Sequence, residues 1–143
     1  MAERIKIKRI LVADREIEYV KSLQRHLRRK GFSVDTAVDA EQALEMIKAA
    51  ESVHADYDLI VTDVGIAHAG TTDMLEWVKE HDLLTSLVLV AGLGSPDPHR
   101  EHLRAELDAC TTKPLRPAQM MSLIKRLNRN RFSYVSKNGS IAR

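Results

Sequence analysis

Short apolar strand patterns alternate with helical patterns along the whole chain, and this alternation restricts the fold more than any other feature. The five predicted strands are Ile5–Ala13, Phe32–Val38, Tyr57–Thr62, Leu87–Ala91 and Ala109–Thr112. Between and after them, apolar residues recur at helical spacing. Five strand–helix units in order predict an α/β fold, in which right-handed crossovers place helices on both faces of a doubly wound parallel sheet.

Cap and turn residues set the expected helix boundaries. Gly31 follows a basic last turn and is expected as the first helix's C-cap, while Asp39 is expected to cap the second helix. The other helices are predicted over about Thr72–His81, from Asp97 to about Leu107, and from Pro117 to Asn130. We expect a domain over residues 1–130 and a C-terminal tail over 131–143, either flexible or paired as a hairpin across Asn138 and Gly139.

Composition is ordinary for a globular protein of 143 residues. The formal charge of +2 is too small to indicate direct nucleic-acid binding by itself. The basic run Arg25, Arg28, Arg29 and Lys30 ends a predicted helix, where cations are favourable, so a solvated helix end is expected. A single cysteine, a charged N-terminus and apolar runs no longer than a strand predict a cytoplasmic protein without a membrane segment.

Three polar residues follow predicted strands: Asp14, Asp63 and Lys113. Because the carboxyl ends of parallel strands converge on one edge of the sheet, we expect these side chains to be neighbours there. Two carboxylates and an ammonium can support phosphoryl transfer to an aspartate when an oxygen-liganded divalent cation neutralises the charge. An aspartate that merely caps a loop is the simpler interpretation of Asp63, but capping does not require the other two residues.

The pattern Ile-Leu-Val-Ala-Asp14, Tyr-Asp-Leu-Ile-Val-Thr-Asp63 and Thr-Lys113-Pro114 resembles a response-regulator receiver domain over about residues 6–130. The resemblance implies a flavodoxin-like sheet with strand order 2-1-3-4-5. It also implies a non-enzymatic two-component phosphorelay module in which Asp63 accepts phosphate from a histidine kinase or phosphotransfer protein. Asp14, Asp63 and the main-chain carbonyl of Gly65 would hold Mg²⁺, and Lys113 would pair with Asp63 and the phosphoryl oxygens. Output would pass through a downstream protein, and a homodimer is left open.

Several positions depart from the family pattern. Arg15 occupies the position of a second acid and cannot ligate Mg²⁺. Glu16 is considered as a substitute ligand, although the sequence does not fix its direction. The remaining departures are Ala91 for a hydroxyl residue, Cys110 for an aromatic, Ala67 for a proline and Thr71 for a glycine. Without the hydroxyl and the aromatic residue, the usual relay between them cannot operate.

Three other functions are weighed against the phosphoacceptor. The first is a pseudo-receiver that binds partners without phosphorylation, with the Arg15 guanidinium bonded to Asp14 or Asp63 in place of the cation. The second is a haloacid-dehalogenase-like phosphatase, which Asp14 and Glu16 imitate, although the chain lacks that class's late acidic pair and cap domain. The third is a flavodoxin-like FMN carrier, whose phosphate the same two carboxylates would repel.

Overall fold

One five-stranded parallel sheet forms the centre of the protein. The computed structural model describes residues 6–67, 74–81, 84–92 and 107–138. The strands are β1 (Arg9–Ala13), β2 (Ser33–Ala37), β3 (Leu59–Asp63), β4 (Ser86–Ala91) and β5 (Ala109–Thr112). They pair in the order β2-β1-β3-β4-β5, every pair parallel, which confirms the predicted fold class and strand order. The first strand begins at Arg9 rather than at Ile5.

The described helices are α1 (Ile17–Arg29), α2 (Ala40–Ser52), α3 (Val64–Ala67), α4 (Met74–Glu80) and α5 (Pro117–Asn138). The short helix α3 directly follows β3, where the sequence predicted a loop. The helix predicted from Asp97 to about Leu107 lies outside the described residues except at its end, where Leu107 is buried. Among the described helices, none is long and apolar enough to cross a membrane.

Local sequence signals account for the ends of α1 and α2. Gly31 has a φ of +98°, a conformation that costs glycine little. Its N–H and that of Phe32 donate to the carbonyls of Arg28 and Leu27, which closes α1 in a Schellman motif. At the start of α2, the Asp39 carboxylate accepts the Gln42 N–H at 2.8 Å. Both predicted caps are therefore confirmed.

The sheet separates two apolar layers, because successive residues of a strand face opposite sides. In β1, Ile10 and Val12 pack against α1 and α5, while Leu11 and Ala13 pack against α2, α3 and α4. The three central strands, β1, β3 and β4, are buried on both faces except at their ends, as parallel strands covered by helices should be. Consequently, these central strands present accessible polar groups at their ends, where Asp63 lies.

The last helix runs eight residues further than predicted, to Asn138 instead of Asn130. Arg131, which was assigned to the tail, is fully buried. Its Nη1 donates to the Asp58 carbonyl at 2.9 Å and to Ser86 Oγ at 3.1 Å, and its Nη2 lies 3.7 Å from Asp58 Oδ1. These contacts attach α5 to the starts of β3 and β4. The alternative hairpin is therefore wrong for residues 131–138, whereas residues 139–143 lie outside the described part.

Candidate functional site

Asp14, Asp63 and Lys113 meet at the carboxyl-end edge of the sheet, as the strand pattern predicted. Asp14 directly follows β1, and its N–H donates to the Ala37 carbonyl at the end of β2. Asp63 is the last residue of β3. Lys113 directly follows β5, and its N–H donates to the Ala91 carbonyl at 2.8 Å. Each side chain therefore projects from a backbone that the sheet holds in place.

The Lys113 ammonium links the carboxylates of this site. Its Nζ lies 3.3 Å from Asp14 Oδ2 and 3.3 Å from Asp63 Oδ1. A third carboxylate, that of Glu16, approaches the same nitrogen at 3.8 Å. One cation therefore offsets the repulsion between acids that come from separate segments of the chain.

The two aspartates differ in burial and in their other partners. Asp14 is only 4% exposed, and its Oδ1 accepts the Glu16 N–H at 3.0 Å. The Asp63 side chain is more accessible, and its Oδ2 accepts the Gly65 N–H at 3.0 Å. A Cβ atom added at Gly65 would lie 2.9 Å from that oxygen, so the glycine permits this close approach. The Asp14 carboxylate is thus buried and fixed in place, while the Asp63 carboxylate is accessible from solvent.

Electrostatics in the site favour a charged lysine. Burial by itself lowers the pKa of Lys113, but the charges and hydrogen bonds of Asp14 and Asp63 outweigh it, so the pKa is raised above its usual value. Tyr19, on α1, interacts electrostatically with Asp14 and Lys113. Burial, followed by the Asp14 charge, raises the pKa of Tyr19 to about 12. Tyr19 was missed in the sequence, where it reads only as part of a helical apolar pattern.

Arg15 does not contact the acids it was considered to bind. The side chain is exposed, and within the described residues no ion pair joins it to Asp14 or Asp63. Lys113, rather than Arg15, provides the cation between them. Ala91 ends β4 and Cys110 lies in β5, as the strand pattern predicted. Thr71 lies outside the described residues.

The donor set fits Mg²⁺ held partly through water. Asp14 and Asp63 offer carboxylate oxygens, the ligand type that Mg²⁺ prefers. Over the parts of the chain that the structure describes, no three His, Cys, Asp or Glu side chains converge on a common metal position. Mg²⁺ characteristically keeps several waters and binds through one or two carboxylates, so two acids are sufficient. Glu16 approaches Lys113 but completes no three-residue group.

The sequence matches the family model of the response regulator receiver domain over residues 10–125. Similar curated proteins include the transcriptional regulatory protein PrrA of Mycobacterium tuberculosis, 30% identical over 125 residues that cover 87% of this chain and 52% of PrrA. Another is the alkaline phosphatase synthesis transcriptional regulatory protein PhoP of Bacillus subtilis. It is 30% identical over 122 residues, which cover 85% of this chain and 49% of PhoP. The chain thus spans about half the length of the curated relatives it matches.

Solved structures agree on the fold. A CheY-like response regulator receiver domain protein from Methanospirillum hungatei superposes with a TM-score of 0.67 at 23% identity, covering 90% of this chain and 99% of that chain. The signal receiver domain of a LuxO repressor protein from Vibrio parahaemolyticus gives a TM-score of 0.70 at 16% identity, over 91% of this chain and 97% of that chain. At these identities, the likeness supports the fold alone.

The chain therefore belongs to the response regulator receiver domain family of two-component signalling. Receiver domains are generally signalling modules rather than enzymes, and they interact with histidine kinases and downstream effectors. They generally bind Mg²⁺ at the phosphorylation site. The receiver family that the motifs resembled is thus confirmed.

Proposed function

We propose that Asp63 accepts a phosphoryl group from a partner histidine kinase or phosphotransfer protein, and that the chain then signals through protein contacts. The observation that supports this most directly is the position of the Lys113 ammonium, 3.3 Å from both Asp14 Oδ2 and Asp63 Oδ1. An ammonium held there stabilises negative charge on a group transferred to Asp63. Of the two aspartates, Asp63 is the accessible one, which suits it to the role of acceptor.

The transfer takes place between the Asp63 carboxylate and a phosphohistidine on the partner. An Asp63 carboxylate oxygen forms a bond to phosphorus as the bond between phosphorus and the imidazole nitrogen breaks. The imidazole keeps the electron pair of the broken bond, so no oxidant or further reactant is needed. Lys113 remains paired with charge throughout, first on the carboxylate and then on the phosphoryl oxygens. Mg²⁺, when bound by Asp14, Asp63 and the Gly65 carbonyl, would neutralise further phosphoryl charge.

The acceptor function is tested with beryllofluoride, a mimic of a phosphoryl group on aspartate, in the presence of Mg²⁺. We expect amide NMR shifts centred on Asp63, Gly65, Ala91 and Lys113. The Asp63→Asn variant, which keeps the side-chain shape but lacks the carboxylate, should show none. Acetyl phosphate should likewise add one phosphoryl group to the chain but not to Asp63→Asn, as seen by mass spectrometry.

A second candidate function is a receiver that binds partners without phosphorylation. It is favoured by Arg15, a fixed positive charge beside the metal position, and by Ala91, which cannot donate a hydroxyl hydrogen bond to a phosphate. A spectrum that stays unchanged at saturating Mg²⁺ and beryllofluoride would support this function over the acceptor. If an Arg15→Asp variant then gained the shifts, the change at position 15 would be identified as the cause.

A further inference from the structure

Among the described helices, positive charge is concentrated on one face of the sheet. Helix α1 carries four lysine or arginine residues and one glutamate, and α5 carries five such residues and no acid. On the opposite face, α2 and α4 together carry five glutamates and two lysines. The formal charge of +2 is therefore not spread evenly, because the described helices of the two faces differ in sign.

Helices α1 and α5 lie side by side, so their basic residues form one surface. Val20, Leu23 and Leu27 of α1 share an apolar cluster with Leu123 and Leu127 of α5. Eight lysine and arginine residues are exposed on the two helices. Six of them, excluding Arg28 and the distant Lys137 near the end of α5, are here called the basic face: Lys21, Arg25, Arg29, Lys125, Arg126 and Arg129. The sequence pattern could not indicate this adjacency, because 87 residues lie between Arg29 and Pro117, where the two helices end and begin.

No residue of the basic face forms an ion pair within the described part of the chain, and Glu18 is the one acid on the two helices. The ion pairs found there involve Lys79, Lys113 and Arg131, and none involves a residue of the basic face. Arg28, on the same helix as Arg25, is excluded from the basic face because its Nη2 donates to the Val34 carbonyl at 3.0 Å. Six exposed cations that form no ion pair within the described residues attract anions and raise their local concentration.

The residues between the cations indicate the chemistry of the partner. Ser22 and Ser122 are exposed on these helices and can donate hydrogen bonds. The large apolar side chains exposed on the described parts of α1 and α5 are Ile17, which begins α1, and Phe132, which lies beyond Arg129 in α5. A protein interface normally has an apolar or aromatic centre, whereas contacts to a nucleic-acid backbone come from lysine, arginine and hydroxyl groups.

We propose that the basic face binds the phosphate backbone of a nucleic acid without reading its base sequence. The total charge gave no indication of direct nucleic-acid binding, because it averages the two faces of the sheet. The cations of α1, taken alone, were expected only to form a solvated helix end. The proposal does not depend on phosphorylation of Asp63, because that residue lies at the carboxyl-end edge of the sheet and not on the outer faces of α1 and α5.

The test measures binding of the full chain to a fluorescently labelled DNA duplex of scrambled sequence, by anisotropy at increasing salt. If all six cations contact phosphates, log K should fall with log salt with a slope of about −5, or roughly 1,000-fold in affinity between about 50 and 200 mM salt. A second scrambled duplex should bind equally well. A slope near zero, or strong preference for one duplex, would contradict backbone binding.

Matched variants locate the contact. The triple variant Lys125→Gln, Arg126→Gln, Arg129→Gln should change the slope to about −3, so that the same salt change costs only roughly 60-fold in affinity. Arg126→Gln alone should make the slope shallower by about one, whereas Lys48→Gln, the same charge change on α2, should leave it unchanged. Equal effects of these two single variants would overturn the proposal, as would binding to anionic lipid vesicles without binding to the duplex. Asp63→Asn should bind the duplex normally, which separates this test from that of the acceptor.

Discussion

Nζ of Lys113 lies 3.3 Å from Oδ1 of Asp63, although 50 positions separate the two residues in the chain. The same nitrogen is also paired with Asp14, which is buried. A single ammonium therefore serves two purposes. It balances a carboxylate that water cannot fully solvate, and it places positive charge beside the proposed acceptor.

Removing that ammonium should affect both stability and ligand binding. We expect Lys113→Met to lower the free energy of unfolding at neutral pH by about 1–2 kcal/mol, because Asp14 and Asp63 then repel each other without a cation. Beryllofluoride binding should weaken strongly. Lys79→Met removes a lysine paired with Asp108 outside the site and should leave beryllofluoride binding intact; equal weakening in both variants would argue against a specific role for Lys113.

Two glycines offer a matched pair of substitutions. Gly65→Ala places a Cβ where the Asp63 carboxylate oxygen now lies, so that carboxylate must turn away. We expect beryllofluoride affinity to fall with little change in stability, since only a side chain end has to move. Gly31→Ala has open space but a left-handed backbone, and it should cost about 1 kcal/mol in unfolding free energy with normal beryllofluoride binding. Titration and denaturant unfolding of both variants distinguish the two effects.

Restoring the family pattern should strengthen binding of the phosphoryl mimic. Ala91→Ser adds a hydroxyl at the end of β4, and a hydrogen bond to a charged group contributes about 1.5–3 kcal/mol, or tenfold and more in affinity. Arg15→Asp adds a second acid for the cation and removes a repulsive charge. We expect the double variant to bind beryllofluoride more tightly than either single variant, and at lower Mg²⁺. No gain in any of the three would argue that other parts of the site prevent acceptor function.

Stability should fall at alkaline pH, and Tyr19 should contribute to the fall. The pKa of Tyr19 is about 12 in the folded protein, whereas an exposed tyrosine in the unfolded chain titrates near 10. Between these values the unfolded state loses its proton and the folded state keeps it, so deprotonation favours unfolding. The raised pKa values of Tyr57 and Lys113 act in the same direction.

Comparison with Tyr19→Phe isolates this contribution. The variant should be slightly less stable at neutral pH, because the hydrogen bond from the Tyr19 hydroxyl to the Leu115 carbonyl is lost. From pH 8 to about pH 10.5 it should lose less unfolding free energy than the native chain, because no phenol remains at position 19 to titrate. Parallel pH profiles for the two proteins would show that Tyr19 does not carry this dependence.

Arg131 should be essential for stability. Arg131→Met removes the donor to the Asp58 carbonyl and to Ser86 Oγ in a buried environment, and we expect a loss of about 3 kcal/mol in denaturant unfolding. The exposed Arg129 of the same helix provides the control, since Arg129→Met should change the unfolding free energy by no more than about 0.5 kcal/mol. A similar loss in both variants would indicate a general effect on α5 rather than the contacts of Arg131.

The sheet was predictable because its signals are local. Apolar runs followed by Asp14 and Asp63 located β1 and β3 in the sequence. Gly31 and Asp39 located the end of α1 and the start of α2. Two elements were not predictable in this way. Helix α3 has only four residues, too few to show a helical period. The end of α5 was mispredicted because Phe132, Tyr134 and Val135 favour strands. In the structure they are helical, because the buried contacts of Arg131 outweigh that local preference.

The candidate site could be predicted in its members but not in its detailed geometry. Strand ends identified Asp14, Asp63 and Lys113 without any knowledge of distances. The sequence also suggested Arg15 as the cation near the acids, but chain proximity does not fix side-chain direction, and Arg15 is exposed instead. Tyr19 interacts with the site because α1 packs beside the end of β5 in three dimensions. A local sequence pattern does not reveal such a contact.

Opposite charges on the described helices of the two faces of the sheet amount to an electric dipole that the small total charge conceals. In the field of a long polyanion, such a molecule rotates before it makes contact, at separations up to about a Debye length, ~10 Å at 0.1 M salt. Helices α1 and α5 would lead the approach, and the acidic helices α2 and α4 would trail. The edge that carries Asp63 would then face sideways, where a second protein could still reach it.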